Sequence, residues 1–314
     1  MKKAAVPPVF CIEEVVALNP EWNQMETVAQ AYRLGTRYLE GHQVESPRFI
    51  SELLLRTALG WDRTGLFTRF HEPLPFEAAQ RFITWLKQRA EGIPVQYLIG
   101  EQEFYGRSFR VEPSVLIPRP ETEILVETVL READGIWKGK AVTAVDMGTG
   151  SGAIAVTLAA ERPAWEVVAV DRSPAALKVA RQNGAKNGSG DRIRWMQGDW
   201  LEPLLKRDLR VDVVVSNPPY IPAGEIPRLD VEVRDHEPRM ALDGGPDGLD
   251  PYRILVRGIP AVLKNPGLVV FEVGEDQSET VGEMLEESLA GAQVFFVSDL
   301  AGRPRVVAAR TGMD

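Results

Sequence analysis

The chain has 314 residues, with 36 Lys and Arg against 45 Asp and Glu, so its formal net charge is -9. That length accommodates two domains of ~100–200 residues, and 44% hydrophobic with 26% charged residues, Gly and Pro scattered throughout, excludes a fibrous or disordered chain. No apolar run reaches the ~20 residues that cross a bilayer. The opening Met1-Lys2-Lys3-Ala4-Ala5-Val6-Pro7-Pro8, followed by Glu13-Glu14, lacks the apolar core of an export signal. A cytoplasmic protein without a membrane partner is the expectation. Cys11 is the single cysteine, and His42, His71 and His236 lie far apart, so neither a disulfide nor a metal site is expected. Residues 1–100 carry 11 charges of each sign, which leaves the whole acidic excess in residues 101–314. Neither part offers the general basic face that phosphates require, and direct nucleic-acid binding is not expected.

Residues 1–100 read as a small helical domain. Val28, Ala31, Tyr32 and Leu39 form one apolar stripe. Ile50, Leu53, Leu54 and Ala58 form a second, with Ser46-Pro47 as N-cap and first helical residue and Gly60 as the stop. Ala79, Phe82, Ile83, Leu86 and Ala90 form a third, between Pro75 and Gly92. Nothing in this part has the spacing of a catalytic motif, which suits a domain that packs against or recognises a partner. Residues 101–120 change character. Phe104 to Val111 predicts a β-hairpin around Tyr105-Gly106, and Ile117-Pro118-Arg119-Pro120 a stiff extended loop joining the domains.

From residue 121 helices and short apolar strands alternate. Helices are expected over about 121–132, 153–161, 174–186 and 278–290, and strands over 141–146, 167–170, 193–196, 211–215, 268–271, 293–297 and 304–309. Continuous apolar strands between helices require a mostly parallel sheet covered on both faces, so residues 121–314 are assigned to the α/β class.

Three groups of residues carry chemistry. Asp146-Met147-Gly148-Thr149-Gly150-Ser151-Gly152 follows the first strand and opens a helix; its glycines admit a ligand close to the backbone and to helix N-terminal amides. Asp171 ends the second strand, where a carboxylate can accept both hydroxyls of a ribose. The pair points to a nucleoside-bearing cofactor, although Gly150-x-Gly152-x-x-Ala155 also fits a loose dinucleotide fingerprint. Asn217-Pro218-Pro219-Tyr220 directly follows the strand ending at Ser216. Two prolines fix the backbone, the Asn217 side-chain oxygen and Pro218 carbonyl can converge on an NH2 group, and Tyr220 offers a ring to its planar body.

These residues resemble the class I methyltransferases that use S-adenosylmethionine and modify amide or amine nitrogens. More narrowly, the chain resembles the HemK/PrmC family, the glutamine N5-methyltransferases of peptide chain release factors. The likeness extends through Ile117-Pro118-Arg119-Pro120-Glu121-Thr122-Glu123, Gly198-Asp199-Trp200, Asn217 to Pro222, and Glu237-Pro238-Arg239-Met240-Ala241-Leu242-Asp243-Gly244-Gly245. It implies a Rossmann-like, mostly parallel seven-stranded sheet behind an N-terminal helical bundle and a linking hairpin. It also implies methyl transfer to the glutamine of the Gly-Gly-Gln motif in class-1 release factors, with S-adenosylhomocysteine as product and no metal.

By the same resemblance, Gly148, Thr149, Gly150, Ser151 and Gly152 line the methionine end of the cofactor, Asp171 binds its ribose, Asp199 and Trp200 flank its adenine, and Asn217 touches both cofactor and substrate. Read from the residues alone, Trp200 is equally an ordinary loop aromatic and Asp199 equally a helix N-cap. Asn217 and Pro218 are the expected catalytic pair, and Pro219 and Tyr220 complete the substrate site. Glu272, near the site, fits a capping or supporting role at least as well as a general base. A ribosomal-protein glutamine, or less favourably a DNA adenine, is the alternative acceptor. The glycine turn alone would permit an NAD-dependent oxidoreductase or a non-catalytic binding module; neither explains the tetrapeptide.

Overall fold

The computed structural model describes Trp22 and residues 25–312; Cys11 and the opening segment lie outside them. The chain divides into two compact units, the first ending at Ile99 and the second beginning at Gly100.

The first unit is helical: α1 (Val28–Gly41), α2 (Pro47–Leu59), α3 (Arg63–Thr68), α4 (Phe76–Ala90) and α5 (Val95–Ile99). Thr27 opens α1 with a capping box, its hydroxyl accepting from Gln30 N while the Gln30 side chain accepts from Thr27 N. Leu39, Leu54, Leu55, Phe82 and Leu86 are fully buried between α1, α2 and α4. Gly35 lets α1 approach α4 closely, since a Cβ there would stand 2.5 Å from the Phe82 ring. Two expectations are corrected. Ser46 makes no side-chain cap bond; its backbone is left-handed (φ 48°) instead of having the extended conformation of a capping residue. On α4 the buried edge runs through Ala78 and Arg89 rather than Ala79 and Ala90, rotating the stripe by one residue at each end.

The second unit opens with a hairpin of β1 (Glu101–Phe104) and β2 (Arg107–Arg110). Tyr105 and Gly106, at φ 52° and 67°, form the two-residue turn whose twist matches paired strands. Phe104 and Phe109 sink fully into the core of this unit, each burial contributing ~1.5–3 kcal/mol. The buried Asn183 side chain accepts from Arg110 N (2.7 Å) and donates to Arg110 O (2.9 Å) and Ser151 O (2.8 Å), so the hairpin is bolted to the helix-and-sheet body.

Behind it run α6 (Glu121–Trp137), β3 (Thr143–Met147), α7 (Ala153–Glu161), β4 (Glu166–Asp171), α8 (Pro174–Lys186), β5 (Ile193–Gln197), α9 (Glu202–Leu205), β6 (Val211–Ser216), α10 (Val231–His236), α11 (Asp250–Val262), β7 (Leu263–Glu272), α12 (Ser278–Ser288), β8 (Gln293–Ser298) and β9 (Pro304–Thr311). The strands form one seven-stranded sheet in the order β5-β4-β3-β6-β7-β9-β8. The β3–β4, β4–β5, β3–β6 and β6–β7 pairs are parallel, and β9 runs antiparallel to both neighbours. Ala144, Val213 and Leu268 face a core with Leu125 and Val129 of α6 and Ile154 of α7. Val145, Val214 and Phe271 face another with Tyr252, Leu255 and Ile259 of α11 and Leu285 of α12. The alternation of strand side chains thus divides one apolar run between two covered faces. No helix among the described residues is long and apolar enough to cross a membrane.

Candidate functional site

Strand order reverses between β3 and β6, and the carboxyl ends of strands at such a reversal are the usual ligand position of open α/β sheets. The glycine turn leaves β3 and Asn217 leaves β6, with Met147 in register with Ser216. Ser216 Oγ donates to the Met147 carbonyl at 2.6 Å, which ties the two exits together.

All three glycines of the turn have positive φ, at 73°, 56° and 83° for Gly148, Gly150 and Gly152. Their roles differ. A Cβ on Gly148 or Gly150 would meet nothing closer than 3.9 Å, an ordinary van der Waals contact, whereas one on Gly152 would press on Ala180 Cβ at 3.1 Å. The first two leave room beside the turn, and the third packs α7 against α8. Thr149 and Ser151 are buried. Thr149 Oγ1 donates to Asp146 Oδ2 at 2.6 Å and Ala155 N donates to the same oxygen at 3.1 Å. Asp146 Oδ1 is buried without a partner among the described residues. Complete burial pushes the Asp146 carboxyl up to about 7 against the pull of those two hydrogen bonds.

At the end of β4, Asp171 Oδ2 accepts from Gly150 N at 2.8 Å and Oδ1 from Ser173 N at 2.7 Å. Each oxygen keeps a further lone pair for a hydroxyl. Burial raises the carboxyl above its ordinary range, and the two backbone donors oppose the shift. Gly198 N donates to the Asp171 carbonyl, drawing the loop after β5 to the same edge. Trp200 stands in that loop at φ 46°, with its ring 4.0 Å from where a Gly148 Cβ would be. Asp199 is exposed, and the cap of α9 is Leu201, so Asp199 is not the N-cap.

After β6 the tetrapeptide is held from behind. Ile221 N donates to Leu242 O, Gly244 N to Ile221 O and Ala223 N to Gly245 O. Gln277 accepts from Gly274 N at 3.0 Å and donates to Tyr220 O at 2.9 Å and Gly248 O at 3.3 Å. Gly244 and Gly248 have no room for a side chain, because a Cβ would stand 2.9 Å from Pro219 O and 2.3 Å from Tyr220 O, respectively. Pro218 is buried, while Asn217, Pro219 and Tyr220 are half-buried. Burial, and then the Glu272 charge, push the Tyr220 phenol up to about 12, so it is neutral.

Asn217 Nδ2 donates to Thr122 Oγ1 at 3.1 Å, and Thr122 Oγ1 donates to Glu272 Oε2 at 2.7 Å. Asn217 Oδ1 and the Pro218 carbonyl receive no hydrogen bond from the described residues. Glu272 is buried and already engaged by Thr122, a supporting place rather than that of a base exposed to substrate. The loop before α6 is anchored by Arg119 to the buried Glu237 at 2.5 Å, with Ile117 N donating to the other Glu237 oxygen. Sequence patterns assign no role to Thr122, Gln277 or the Arg119–Glu237 pair. Apart from Gly274, close to Gln277 in the sequence, their partners lie tens to more than a hundred residues away, and only the folded sheet edge brings them together.

The PrmC N-terminal domain family model matches residues 30–100, and the methyltransferase small domain model matches residues 120–230. A release factor glutamine methyltransferase of Moorella thermoacetica is 45% identical over 89% of this chain and 96% of its own length. One of Bacillus subtilis is 42% identical over 91% of this chain and 98% of its own. Among solved structures, the hMettl16 catalytic domain in complex with MAT2A 3'UTR hairpin 6 superposes with a TM-score of 0.52 at 15% identity, covering 76% of this chain and 82% of that one, a likeness of fold alone. Identity at this level along nearly the whole of both relatives places the chain in the release factor glutamine methyltransferase family.

Proposed function

We propose that the chain transfers a methyl group from S-adenosylmethionine to the side-chain amide nitrogen of the Gly-Gly-Gln glutamine in class-1 release factors, leaving S-adenosylhomocysteine. The observation that carries this reading is the pairing of two unoccupied acceptors, Asn217 Oδ1 and the Pro218 carbonyl, with a ligand-admitting glycine turn one strand away.

The residues present fit the cofactor. Gly148 and Gly150 leave space where a Cβ would otherwise intrude, and Asp146 Oδ1 is a buried polar atom without a partner at the base of the turn. Gly148, Thr149, Gly150, Ser151 and Gly152 would hold its methionine end. Asp171 would take the ribose hydroxyls, and Trp200 with Asp199 would flank the adenine. S-adenosylmethionine supplies a methyl group activated by attachment to a sulfonium.

A carboxamide nitrogen is a weak nucleophile because its lone pair is delocalised into the carbonyl. Asn217 and Pro218 accept its two hydrogens and hold the nitrogen in line with the methyl. Pro219 keeps that geometry stiff, and the neutral Tyr220 supplies a face for the planar group. Transfer would form a C–N bond as the methyl C–S bond breaks, its electron pair remaining on sulfur to give the neutral thioether, and would release one amide N–H proton to water. The rate comes from positioning two reactants, not from a covalent enzyme intermediate or a metal. Cation charge is lost in the reaction, so a partly dry site that solvates the sulfonium poorly favours it.

The first unit is the expected docking surface for the release factor. Its groove of about 580 Å³ is lined by Tyr32, Arg33, Thr36, Arg37, Glu40 and Arg48, and Phe49, Phe67 and Phe76 are exposed on the same unit. The cytoplasm, where translation occurs, is the proposed location.

The test is incubation of the protein with S-adenosylmethionine and a class-1 release factor, followed by fragmentation mass spectrometry of the Gly-Gly-Gln peptide. One added methyl on the glutamine is the expected result. No methyl there, with cofactor binding demonstrated separately, would transfer the assignment to another protein glutamine or to nucleic acid.

A further inference from the structure

We propose that Thr122 and Glu272 are a positioning pair that dictates which end of the Asn217 amide faces the substrate. This deepens the methyl-transfer reading above and rests on it.

An asparagine side chain presents an acceptor on one side and a donor on the other, and the two ends have nearly the same shape. A target amide needs the acceptor. Nothing in the tetrapeptide itself chooses, so the choice comes from what lies behind Asn217. Ionised Glu272 can only accept hydrogen bonds, so at 2.7 Å it claims the single Thr122 hydroxyl proton. Thr122 Oγ1 then has only lone pairs to offer Asn217, and the Asn217 group 3.1 Å away must be the NH2. Oδ1 is thereby turned outward. The reversed amide would require the Thr122 proton for itself and would set a hydroxyl lone pair against a buried carboxylate oxygen, an unmade hydrogen bond in a low-dielectric place. One buried charge thus fixes polarity two hydrogen bonds away.

The surroundings of Glu272 allow this control to be switched off. It is faced by Thr122 and Glu121 of α6, Arg119 of the preceding loop, Tyr220 after β6, Tyr252 of α11 and Arg305 of β9. Tyr252 OH donates to the Glu272 backbone carbonyl at 2.7 Å rather than to its carboxylate. Burial is the largest influence and, with Glu121, outweighs Arg119, Arg305 and the Thr122 hydrogen bond, pushing the carboxyl up to about 7. Once protonated, Glu272 can donate to Thr122 Oγ1. The Thr122 proton is released to turn toward Asn217, and both amide orientations become satisfiable.

Three variants assayed beside the wild type test the pair. Thr122→Val should lower kcat about tenfold or more with the dissociation constant for S-adenosylmethionine unchanged, and Thr122→Ser, which keeps the hydroxyl, should restore it. In the wild type kcat should fall as pH drops below about 7. Glu272→Gln, which can present either an acceptor or a donor to Thr122, should be slower than wild type at pH 8 and should lack that acidic limb. The limb would persist in this variant if Asp146, also near 7, were its source. Wild-type kcat in Thr122→Val, no acidic limb in the wild type, or an unaltered limb in Glu272→Gln would each overturn the proposal. Should Thr122→Val fail to fold, the Glu272→Gln profile decides. A wild-type protein that methylates no release factor would instead refute the underlying methyl-transfer reading, a result separable from all of these.

Discussion

The two loops that leave β3 and β6 start side by side at one edge of the sheet but are built on opposite principles. After β3, atoms are left out: Gly148 and Gly150 would meet nothing closer than 3.9 Å if they carried a Cβ. After β6, atoms are crowded and fixed: two prolines set the backbone, and Gly244, Gly248 and Gln277 press on it from behind. A turn that admits a large ligand needs vacancy. A pair of acceptors that must aim at one small amide needs rigidity. Glycine serves both, in one loop by leaving the backbone uncrowded and in the other by letting two protein segments touch.

The sharpest way to break this contrast is to remove an aimed acceptor. Asn217→Ala should leave cofactor affinity close to wild type and cut kcat/KM on a release factor by about 10- to 100-fold or more, the loss of ~1–3 kcal/mol of hydrogen bonding; initial rates of methyl incorporation measure it. A smaller effect on the other loop comes from Asp171→Asn. One carboxylate oxygen becomes a donor facing either a backbone N–H or a ribose hydroxyl, and the dissociation constant for S-adenosylmethionine should rise about tenfold, read by titration calorimetry. The paired substitutions Gly150→Ala and Gly248→Ala sharpen the comparison directly. Both add a methyl at positive φ and should cost about 1 kcal/mol of backbone strain. Gly248→Ala also forces a Cβ to within 2.3 Å of Tyr220 O, so it should lower the melting temperature by several degrees more than Gly150→Ala, whereas Gly150→Ala should be the one that weakens cofactor binding.

The last expected effect concerns pH and stability. Asp146 and Glu272 both hold their protons up to about 7 in the folded protein. Between the ordinary carboxylate range and 7 the folded state therefore binds protons that the unfolded chain has lost. Stability is greatest below that window, falls as pH rises through it and levels off above 7. Glu272→Gln should reduce the stability difference between pH 5 and pH 8 by about 2–3 kcal/mol, measured by urea unfolding at the two pH values. A difference as large as in the wild type would assign the pH dependence to Asp146 or elsewhere.

Much of this edge is legible in the sequence because its decisive residues are contiguous. The glycine turn and Asn217 to Tyr220 each follow an apolar strand, and the strand-helix alternation identifies the sheet that aligns them. What escapes is whatever depends on contact between distant segments. Thr122 is 95 residues from Asn217 and 150 from Glu272, and no local spacing links them. Ser46 misleads for the opposite reason: its sequence context suits a cap, but its backbone is left-handed rather than extended and no cap bond forms. The helix Asp250–Val262 could have been found, since Tyr252, Leu255, Val256, Ile259 and Val262 make a regular buried stripe. Pro251 and Pro260 disguise it, the first harmless at a helix start and the second close to the end.

The Ser216 hydroxyl bonded to the Met147 carbonyl has a consequence for how reactant spacing is kept. Methyl transfer tolerates little error, since reacting atoms must lie ~3–3.5 Å apart and in line, a tolerance finer than the ordinary excursions of surface loops. The exits of β3 and β6 are neighbouring rungs of a hydrogen-bonded ladder, ~4.8 Å apart in any such sheet, and the hydroxyl clamps them at the last rung. The sheet acts as a gauge block. The separation between donor and recipient is machined when the chain folds, and each arriving release factor is measured against it.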